Sequence, residues 1–205
     1  SGDVVFDGQS VTIHGPKDAA RLGIEVVYQD LALCDNLDVV QNMYLGREAM
    51  NAKEIPVFAM PRMRRMLEEN APWSQLVTLK NIDLKSLSDR EKINLPGGIT
   101  VEPFLVPHRD EFSETVGFRI RSRSQSLVFI PDIDKWEKWP TSLADLVRSA
   151  DHLLIDGTFF ADGEINRPMS EVPHPFVIET MRVLSGLPRA ERSKVHFIHF
   201  NHSNP

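Results

Sequence analysis

Cysteine, positive charge and long apolar runs are all scarce in this sequence, and each shortage excludes a class of protein. Its 205 residues include one cysteine, Cys34, so no disulfide can form within the chain. No apolar run approaches the roughly 20 residues of a membrane-spanning helix, and no basic stretch followed by an apolar one opens the chain. Acidic residues outnumber basic ones by 29 to 23, whereas a nucleic-acid partner favours a basic surface. We therefore expect a cytoplasmic protein with no membrane span and no nucleic-acid partner.

Charge, proline and histidine are unevenly distributed along the chain. Residues 1–50 contain three basic and eight acidic side chains, and Pro16 is their single proline out of 14 in the whole sequence. Six of the seven histidines follow residue 100. The chain therefore looks like two unlike segments joined end to end.

Short β-prone runs alternate with helical spacing, which predicts a mixed fold of the α/β or α+β class. The first segment predicts a hairpin, a helix, a strand and a second helix: Val4–Phe6 with Val11–Ile13, Pro16–Leu22, Ile24–Tyr28 and Asp38–Leu45. Six later runs predict strands: Ile55–Ala59, Thr100–Val106, Val116–Ile120, Leu127–Ile130, Leu153–Ile155 and Val195–Phe200. Three predict helices: Pro61–Asn70, Ser142–Ser149 and Pro175–Leu184.

Side chains able to bind metals follow several of the predicted strands. They are imidazoles and carboxylates, the ligands that suit zinc, manganese or iron: His108, Asp132, Asp156, His199 and His202. Rigid strand ends are the supports that a metal site needs. The pattern is therefore compatible with a metal centre built at the ends of strands.

Each of these residues also has a simpler interpretation. A single histidine after a strand is more often a loop or capping residue, and an aspartate before glycine, as at Asp156, usually forms a turn. We interpret His152 and His174 as surface or loop residues, and Cys34 as a small buried apolar residue. Spacing alone leaves both interpretations open.

Residues 1–48 resemble part of the ATP-binding subunit of sugar-type ABC transporters. The resemblance rests on the stretch DAARLGIEVVYQDLALCDNLDVVQN, which begins at Asp18. It implies that Gln29 is a vestigial Q-loop glutamine, the residue that contacts magnesium and the attacking water. No G-x-x-x-x-G-K-[ST] loop occurs anywhere in the sequence, so nothing would hold the phosphates of ATP. We therefore expect no ATPase activity, although such a transporter subunit stays a distant alternative.

Residues 43–205 resemble the second half of a metallo-β-lactamase-fold hydrolase similar to the pyrroloquinoline quinone biosynthesis protein B family. Five motifs occur in the right order: IPVFAMPR, VPHRDE, FIPDIDKW, LIDGTFF and FIHFNHSNP. The resemblance implies a partial αββα sandwich. It also implies that His108, Asp132 and His199 are metal ligands, that His202 is their neighbour, and that Asp132 and Asp156 are the catalytic carboxylates.

The family's H-x-H-x-D-H cluster is missing, and the transporter-like segment stands in its place. The resemblance then implies that one metal keeps a single protein ligand and the other about two, fewer than the three or four that zinc sites generally use. We expect a weakly held divalent metal, zinc with manganese or iron as alternatives.

The implied reaction is hydrolysis of an ester, phosphodiester or similar bond in a small-molecule substrate, by hydroxide generated at the metal and with impaired turnover. The alternative is a non-catalytic binding module of the same fold. Because the first strands of the sandwich are missing, uncovered sheet edges and apolar faces predict a marginally stable protein or a homodimer.

Overall fold

The computed structural model describes residues 4–6, 8–14, 18, 21–22, 53–71, 73–166 and 168–202, and the chain divides into two units, residues 1–37 and 38–205. In the first unit, strands β1 (Val4–Phe6) and β2 (Gln9–Val11) pair antiparallel. The hairpin is as predicted, but its second strand lies two residues earlier. Gly8 allows the tight turn because its φ is 74°.

Several predictions for the first fifty residues lie outside the described residues. They concern the strand Ile24–Tyr28, the helix Asp38–Leu45, and the residues Gln29 and Cys34. Of the predicted helix Pro16–Leu22, the structure describes residues 18, 21 and 22.

The described part of the second unit begins with a small parallel sheet. Strand β3 (Ile55–Ala59) pairs with β4 (Ile82–Ser86), and helices α1 (Pro61–Glu69) and α2 (Trp73–Thr78) connect the two. Pro61 occupies the first turn of α1, where its missing N–H costs nothing and its fixed φ suits a helix.

A mixed six-stranded sheet forms most of the second unit. Its order is β10-β9-β8-β7-β6-β5, and its strands are β5 (Ile93–Leu95), β6 (Ile99–Leu105), β7 (Val116–Arg121), β8 (Ser126–Ile130), β9 (His152–Asp156) and β10 (Val195–Ile198). Strands β5 to β8 pair antiparallel, whereas β8, β9 and β10 are parallel. Helix α3 (Leu143–Arg148) connects β8 to β9, and helices α4 (Val177–Leu184) and α5 (Arg189–Arg192) connect β9 to β10.

One face of this sheet carries the main hydrophobic core. The cross-strand neighbours Val128 and Leu153, like Ile130 and Ile155, are fully buried, and they belong to one cluster with residues of α3 and α4. Gly117 lets Phe104 fit, because a Cβ at position 117 would lie 2.6 Å from the phenyl ring. This packing fixes the sheet, and with it the positions at which the strands end.

The predicted mixed α/β class is confirmed, and the predicted elements between residues 53 and 202 agree with the structure to within about two residues at most ends. The sequence patterns did not predict four short helices and strands: α2, β4, β5 and α5. Strand β4 carries Asp83 and Lys85 and so lacks a continuous apolar run. None of the helices in the described part of the chain is long and apolar enough to cross a bilayer.

Candidate metal centre

The topology of the large sheet brings four strand ends to one edge. Strands β8, β9 and β10 are parallel, and β6 runs in the same direction because it is antiparallel to β7, which is antiparallel to β8. Four of the candidate residues lie at or just beyond the carboxyl ends of these strands: His108, Asp132, Asp156 and His199. Ligand sites in sheets of this kind form at the carboxyl ends of strands.

Three side chains converge at this edge. The Nε2 atom of His108 lies 3.1 Å from Oδ1 of Asp132, and Nδ1 of His174 lies 3.4 Å from the same oxygen. One ligand atom from each residue lies within 4.8 Å of the others, the arrangement expected for three ligands around one ion. The side chains of His108 and His174 are 13% and 14% exposed, so that most of their surface is protected from water.

The carboxylate at the centre of this group fits a cation. Oδ1 of Asp132 is buried and has no hydrogen-bond partner among the described residues, although two imidazole nitrogens lie near it. A buried polar atom without a partner is costly, and a bound ion would remove that cost. Two imidazoles and one carboxylate are a donor set used by catalytic zinc sites and by non-haem iron sites.

The pKa values in the group reflect the attraction between its imidazoles and carboxylates. Direct contact with the Asp132 carboxylate raises the pKa of His108, against the effect of burial, and the negative charges of Asp132 and Asp156 add to the rise. Burial raises the pKa of Asp132, but contact with His108 and the charges of His108, His174 and His199 lower it by more, so the net pKa is below the usual value. The group therefore favours a negative carboxylate among cationic or metal-bound partners.

Asp156 ties the centre to the sheet. Its side chain is fully buried at the end of β9. Oδ2 accepts hydrogen bonds from His174 Nδ1 at 2.8 Å and from the backbone N–H of Ile133 at 3.2 Å. Oδ1 accepts hydrogen bonds from the backbone N–H and the hydroxyl of Thr158, at 2.9 and 2.6 Å. One carboxylate thus positions His174 directly and Asp132 through the residue that follows it.

His199 lies beside the three converging residues but is not one of them. Its ring centre is 6.2 Å from that of His174, and its Nδ1 atom is 2.9 Å from the Thr158 hydroxyl. Its φ is 63°, in the left-handed region that costs an ordinary residue free energy and that often marks functional sites. Backbone hydrogen bonds from Gly157 to Ile198 and from Asn201 to Thr158 hold the chain in this conformation.

The other candidate residues lie further from this group or outside the described residues. His202 is exposed and does not belong to the metal-competent group found among the described residues. His152, interpreted as a surface residue, is exposed on β9. Gln29 lies outside the described residues. The ligand roles of His108, Asp132, His199 and His202, and the catalytic roles of Asp132 and Asp156, stay predictions.

The interpretation of His174 as a surface or loop residue is corrected by the structure. His174 does lie in a loop, but its side chain is mostly buried and hydrogen-bonded to Asp156. The signal for this was its position between Pro173 and Pro175, because prolines restrict the backbone on both sides of the histidine. Pro175 is itself fully buried, so the loop is packed against the fold.

Comparison with known families agrees with the fold. A family model described as the beta-lactamase superfamily domain matches residues 31–200. The chain belongs to the β-lactamase superfamily. Its mixed fold is a partial metallo-β-lactamase fold, in a superfamily whose members typically bind divalent metals.

Solved structures of other proteins share this superfamily fold. Zn²⁺-bound PqqB from Methylobacterium extorquens matches with a TM-score of 0.57 and 19% identity, over 74% of this chain and 56% of that one. A diphosphatase from the PhnP family matches with a TM-score of 0.52 and 18% identity, over 99% of this chain and 73% of that one. At these identities the likeness shows the fold alone.

The chain also contains a segment similar to sugar import ATP-binding proteins. It is 48% identical over 48 residues to the ribose import protein RbsA 3 of Rubrobacter xylanophilus, which is 23% of this chain and 10% of that protein. It is 35% identical over 97 residues to the xylose/arabinose import protein XylG of Sulfolobus acidocaldarius, which is 47% of this chain and 35% of that protein. The chain therefore spans about a third or less of the length of these relatives.

The two similarities overlap in sequence. The superfamily match begins at residue 31, which lies inside the segment 1–48 that we assigned to the transporter resemblance. It also precedes residue 43, where we placed the start of the metallo-β-lactamase resemblance. The division between the two structural units, at residues 37 and 38, also lies in this overlap. The boundaries of the two parts, 1–48 and 43–205, stay predictions.

Proposed function

We propose that this chain is a metal-dependent hydrolase that acts on an ester, phosphodiester or similar bond of a small molecule. The observation that carries the proposal is the buried Oδ1 atom of Asp132, which has no hydrogen-bond partner among the described residues and lies 3.1 and 3.4 Å from nitrogens of His108 and His174. A divalent ion held there would polarise the bond to be cleaved and lower the pKa of bound water.

The residues of the chain would prepare the site for this chemistry. Asp156 orients the ring of His174 and, through the N–H of Ile133, the loop that carries Asp132. His199 stands next to His174 as a further ligand or as a group that handles protons near the substrate. Since ligands held by such networks need no rearrangement on binding, the fold supplies a prepared site.

Two solved structures that share the fold guide the choice of substrates to test. Structures that share the fold include the diphosphatase of the PhnP family and yeast PDE1, the latter with a TM-score of 0.51. These names describe those proteins, and we take from them a preference for phosphorus esters as the first substrates to test. Zinc is our first choice of metal, with manganese and iron as alternatives that the same ligands suit.

A non-catalytic binding module is the second candidate. The sequence contains no H-x-H-x-D-H cluster, and the chain covers 56% of the length of the Zn²⁺-bound PqqB structure. Three ligands can hold one ion, but a second ion would need donors that the converging group does not include. A protein that binds metal without turnover would fit this alternative.

Calorimetric titration with zinc and with manganese tests the metal centre. We expect binding at one site, and we expect His108→Ala, Asp132→Ala and His174→Ala each to weaken it at least about tenfold, because each removes a proposed ligand. His199→Ala tests whether His199 is a fourth ligand. The matched control is His152→Ala, which removes an exposed imidazole from the same sheet and should leave the affinity unchanged. Absence of binding, or binding that none of the ligand variants weakens, would contradict the proposal.

Turnover separates the two candidates. Bis(p-nitrophenyl) phosphate and p-nitrophenyl acetate report phosphodiester and ester cleavage by colour. Hydrolysis that requires added metal and disappears in His174→Ala supports the hydrolase. Metal binding without hydrolysis of either probe supports the binding module.

A further inference from the structure

A hydrogen-bonded chain of three side chains runs from the buried carboxylate to His199. Oδ1 of Asp156 lies 2.6 Å from the hydroxyl of Thr158, and the same hydroxyl oxygen lies 2.9 Å from Nδ1 of His199. Asp156 is fully buried and Thr158 is 8% exposed, so water competes little for these bonds. These hydrogen bonds therefore constrain where the protons lie.

The number of protons available to these three side chains fixes the direction of each hydrogen bond. An ionised carboxylate only accepts hydrogen bonds, and a hydroxyl has one proton to donate. The short contact between Asp156 and Thr158 needs a proton between the two oxygens, and the Thr158 hydroxyl supplies it. The hydroxyl oxygen then has only lone pairs left for His199, so the Nδ1 atom of His199 must carry a proton and donate it.

The same carboxylate fixes the tautomer of the second histidine. Its Oδ2 atom accepts a hydrogen bond from His174 Nδ1 at 2.8 Å, so this nitrogen also carries a proton. In a neutral imidazole the other nitrogen then presents a lone pair. His174 would then bind a metal through Nε2, and not through the Nδ1 atom that lies 3.4 Å from Oδ1 of Asp132. The Nε2 atom of His199 would likewise be ready to bind a metal or to accept a proton.

We propose that Thr158 is a positioning residue that transmits the charge of Asp156 to His199 and holds it as the Nδ1–H tautomer with a free Nε2 lone pair. The inference extends the proposed metal centre, since it names the atom through which His199 would act. It assigns a function to a hydroxyl that is not itself a metal ligand.

The backbone supports this geometry at a cost in strain. His199 has a left-handed backbone, and the N–H of Gly157 donates to the carbonyl of Ile198 at 2.8 Å. A Cβ on residue 157 would lie 2.9 Å from Cβ of Phe197, closer than side chains can approach, so glycine is required there. The close approach brings the end of β9 next to the end of β10, and this allows Thr158 to reach His199.

Nitrogen-15 NMR of the imidazole side chains, recorded on metal-free protein at about pH 8, above the ordinary pKa of histidine, tests the proposal. Wild-type His199, assigned by comparison with His199→Gln, should show a protonated Nδ1 and an unprotonated Nε2. Thr158→Val keeps the shape but removes the hydroxyl, so the tautomer should shift toward Nε2–H. Thr158→Ser restores the hydroxyl and should restore the wild-type pattern. Wild-type His199 with its proton on Nε2, or a Thr158→Val spectrum unchanged at His199, would overturn the proposal.

Thr180→Val is the matched control. Thr180 is fully buried, and its hydroxyl accepts a hydrogen bond from the Trp136 indole instead of contacting His199. The Thr180→Val variant should have lower stability than wild type but an unchanged His199 tautomer. If Thr158→Val does not fold, the wild-type and Thr158→Ser spectra still decide the direction of the bond.

Zinc affinity gives a second measurement. Thr158→Val should weaken zinc binding about 10- to 100-fold, the usual effect of removing a partner that orients a ligand, and Thr158→Ser should restore it. If the wild type binds no zinc, the proposed hydrolase fails, whereas the metal-free spectra still decide the role of Thr158. If zinc binds equally to wild type and Thr158→Val, His199 is not a ligand through this network and the proposal is overturned.

Discussion

Two aspartates at the ends of strand β9 show how surroundings decide what a carboxylate does. Asp156 ends the strand, is fully buried, and accepts hydrogen bonds that organise the candidate metal centre. Asp151 precedes the strand, is exposed, and accepts hydrogen bonds from the backbone N–H and the hydroxyl of Ser126, at 2.8 and 2.9 Å. Asp156 thus orients side chains of the candidate site, whereas Asp151 links β8 to β9 at the opposite edge of the sheet.

Asp151 should make stability depend on pH in the acid range. The hydrogen bonds from the side chain and backbone of Ser126 hold the pKa of Asp151 below its ordinary value. Its contribution is therefore fully present above the unfolded pKa of about 3.9 and is lost as pH falls through the lower folded pKa. We expect Asp151→Asn to be less stable than wild type at about pH 6, and the difference to vanish at about pH 2.

Urea unfolding at several pH values measures this difference. Asp162→Asn, in an exposed loop position, is the matched control and should follow the wild-type curve at every pH. A constant gap between Asp151→Asn and wild type across the whole range would show that Asp151 does not titrate differently on folding.

At the scale of elements, helix α2 ends in a geometry that usually requires glycine. The N–H of Lys80 donates to the carbonyl of Val77 at 3.0 Å, and that of Asn81 donates to Leu76 at 2.9 Å. These two bonds define a Schellman motif, whose next-to-last residue adopts a left-handed backbone. Lys80 has a φ of 56°, so a side chain sits where glycine is preferred.

Lys80→Gly should therefore stabilise the protein. Removing the Cβ from a left-handed position relieves roughly 1 kcal/mol of strain, and the exposed lysine side chain contributes little packing that would be lost. Thermal and urea unfolding measure the change. Lys80→Ala removes the charge but keeps the Cβ and should leave stability nearly unchanged, so an equal gain in both variants would point to charge instead of backbone strain.

The elements that the sequence predicts well are those with apolar runs of their own. Strands β6, β8 and β9 contain such runs, and the polar residues that follow them, among them His108 and Asp132, could be chosen as site candidates for that reason. Strand β5 has three residues, and β4 alternates charged with apolar side chains, so pairing with neighbouring strands decides their structure.

The hydrogen bond between His174 and Asp156 could not be predicted from sequence pattern, because it depends on tertiary structure. The histidine lies in a loop 18 residues beyond Asp156 in sequence, and the fold of that loop brings the two side chains to 2.8 Å. Thr158 lies in the LIDGTFF motif, but its contact with His199 forms only when β9 and β10 lie side by side. Local sequence indicates strand ends, whereas the partners that meet there depend on the connections between strands.

At the scale of the whole molecule, the large sheet has a second apolar face. Phe118, Phe129 and Leu154 lie opposite one another across three strands, and they alternate with the core residues of the other face. All three are partly exposed to solvent. A cavity of about 430 Å³ lies on this side of the sheet, with Leu127 and Leu154 in its wall. Contiguous apolar surface of this kind often marks an interface between proteins.

Self-association through this face would account for a homodimer, which we predict as the alternative to a marginally stable protein. Leu154→Glu and Leu127→Glu each place a charge on the face, and burying it in an interface would be costly, so both variants should shift the protein toward monomer. Sedimentation velocity over a range of concentrations measures the shift, and thermal unfolding checks that the variants fold. Met181→Glu replaces an apolar side chain that is 56% exposed on α4, and as the matched control it should sediment like wild type. A wild-type chain that stays monomeric at every concentration, or association that neither sheet variant weakens, would show that this face does not join two copies.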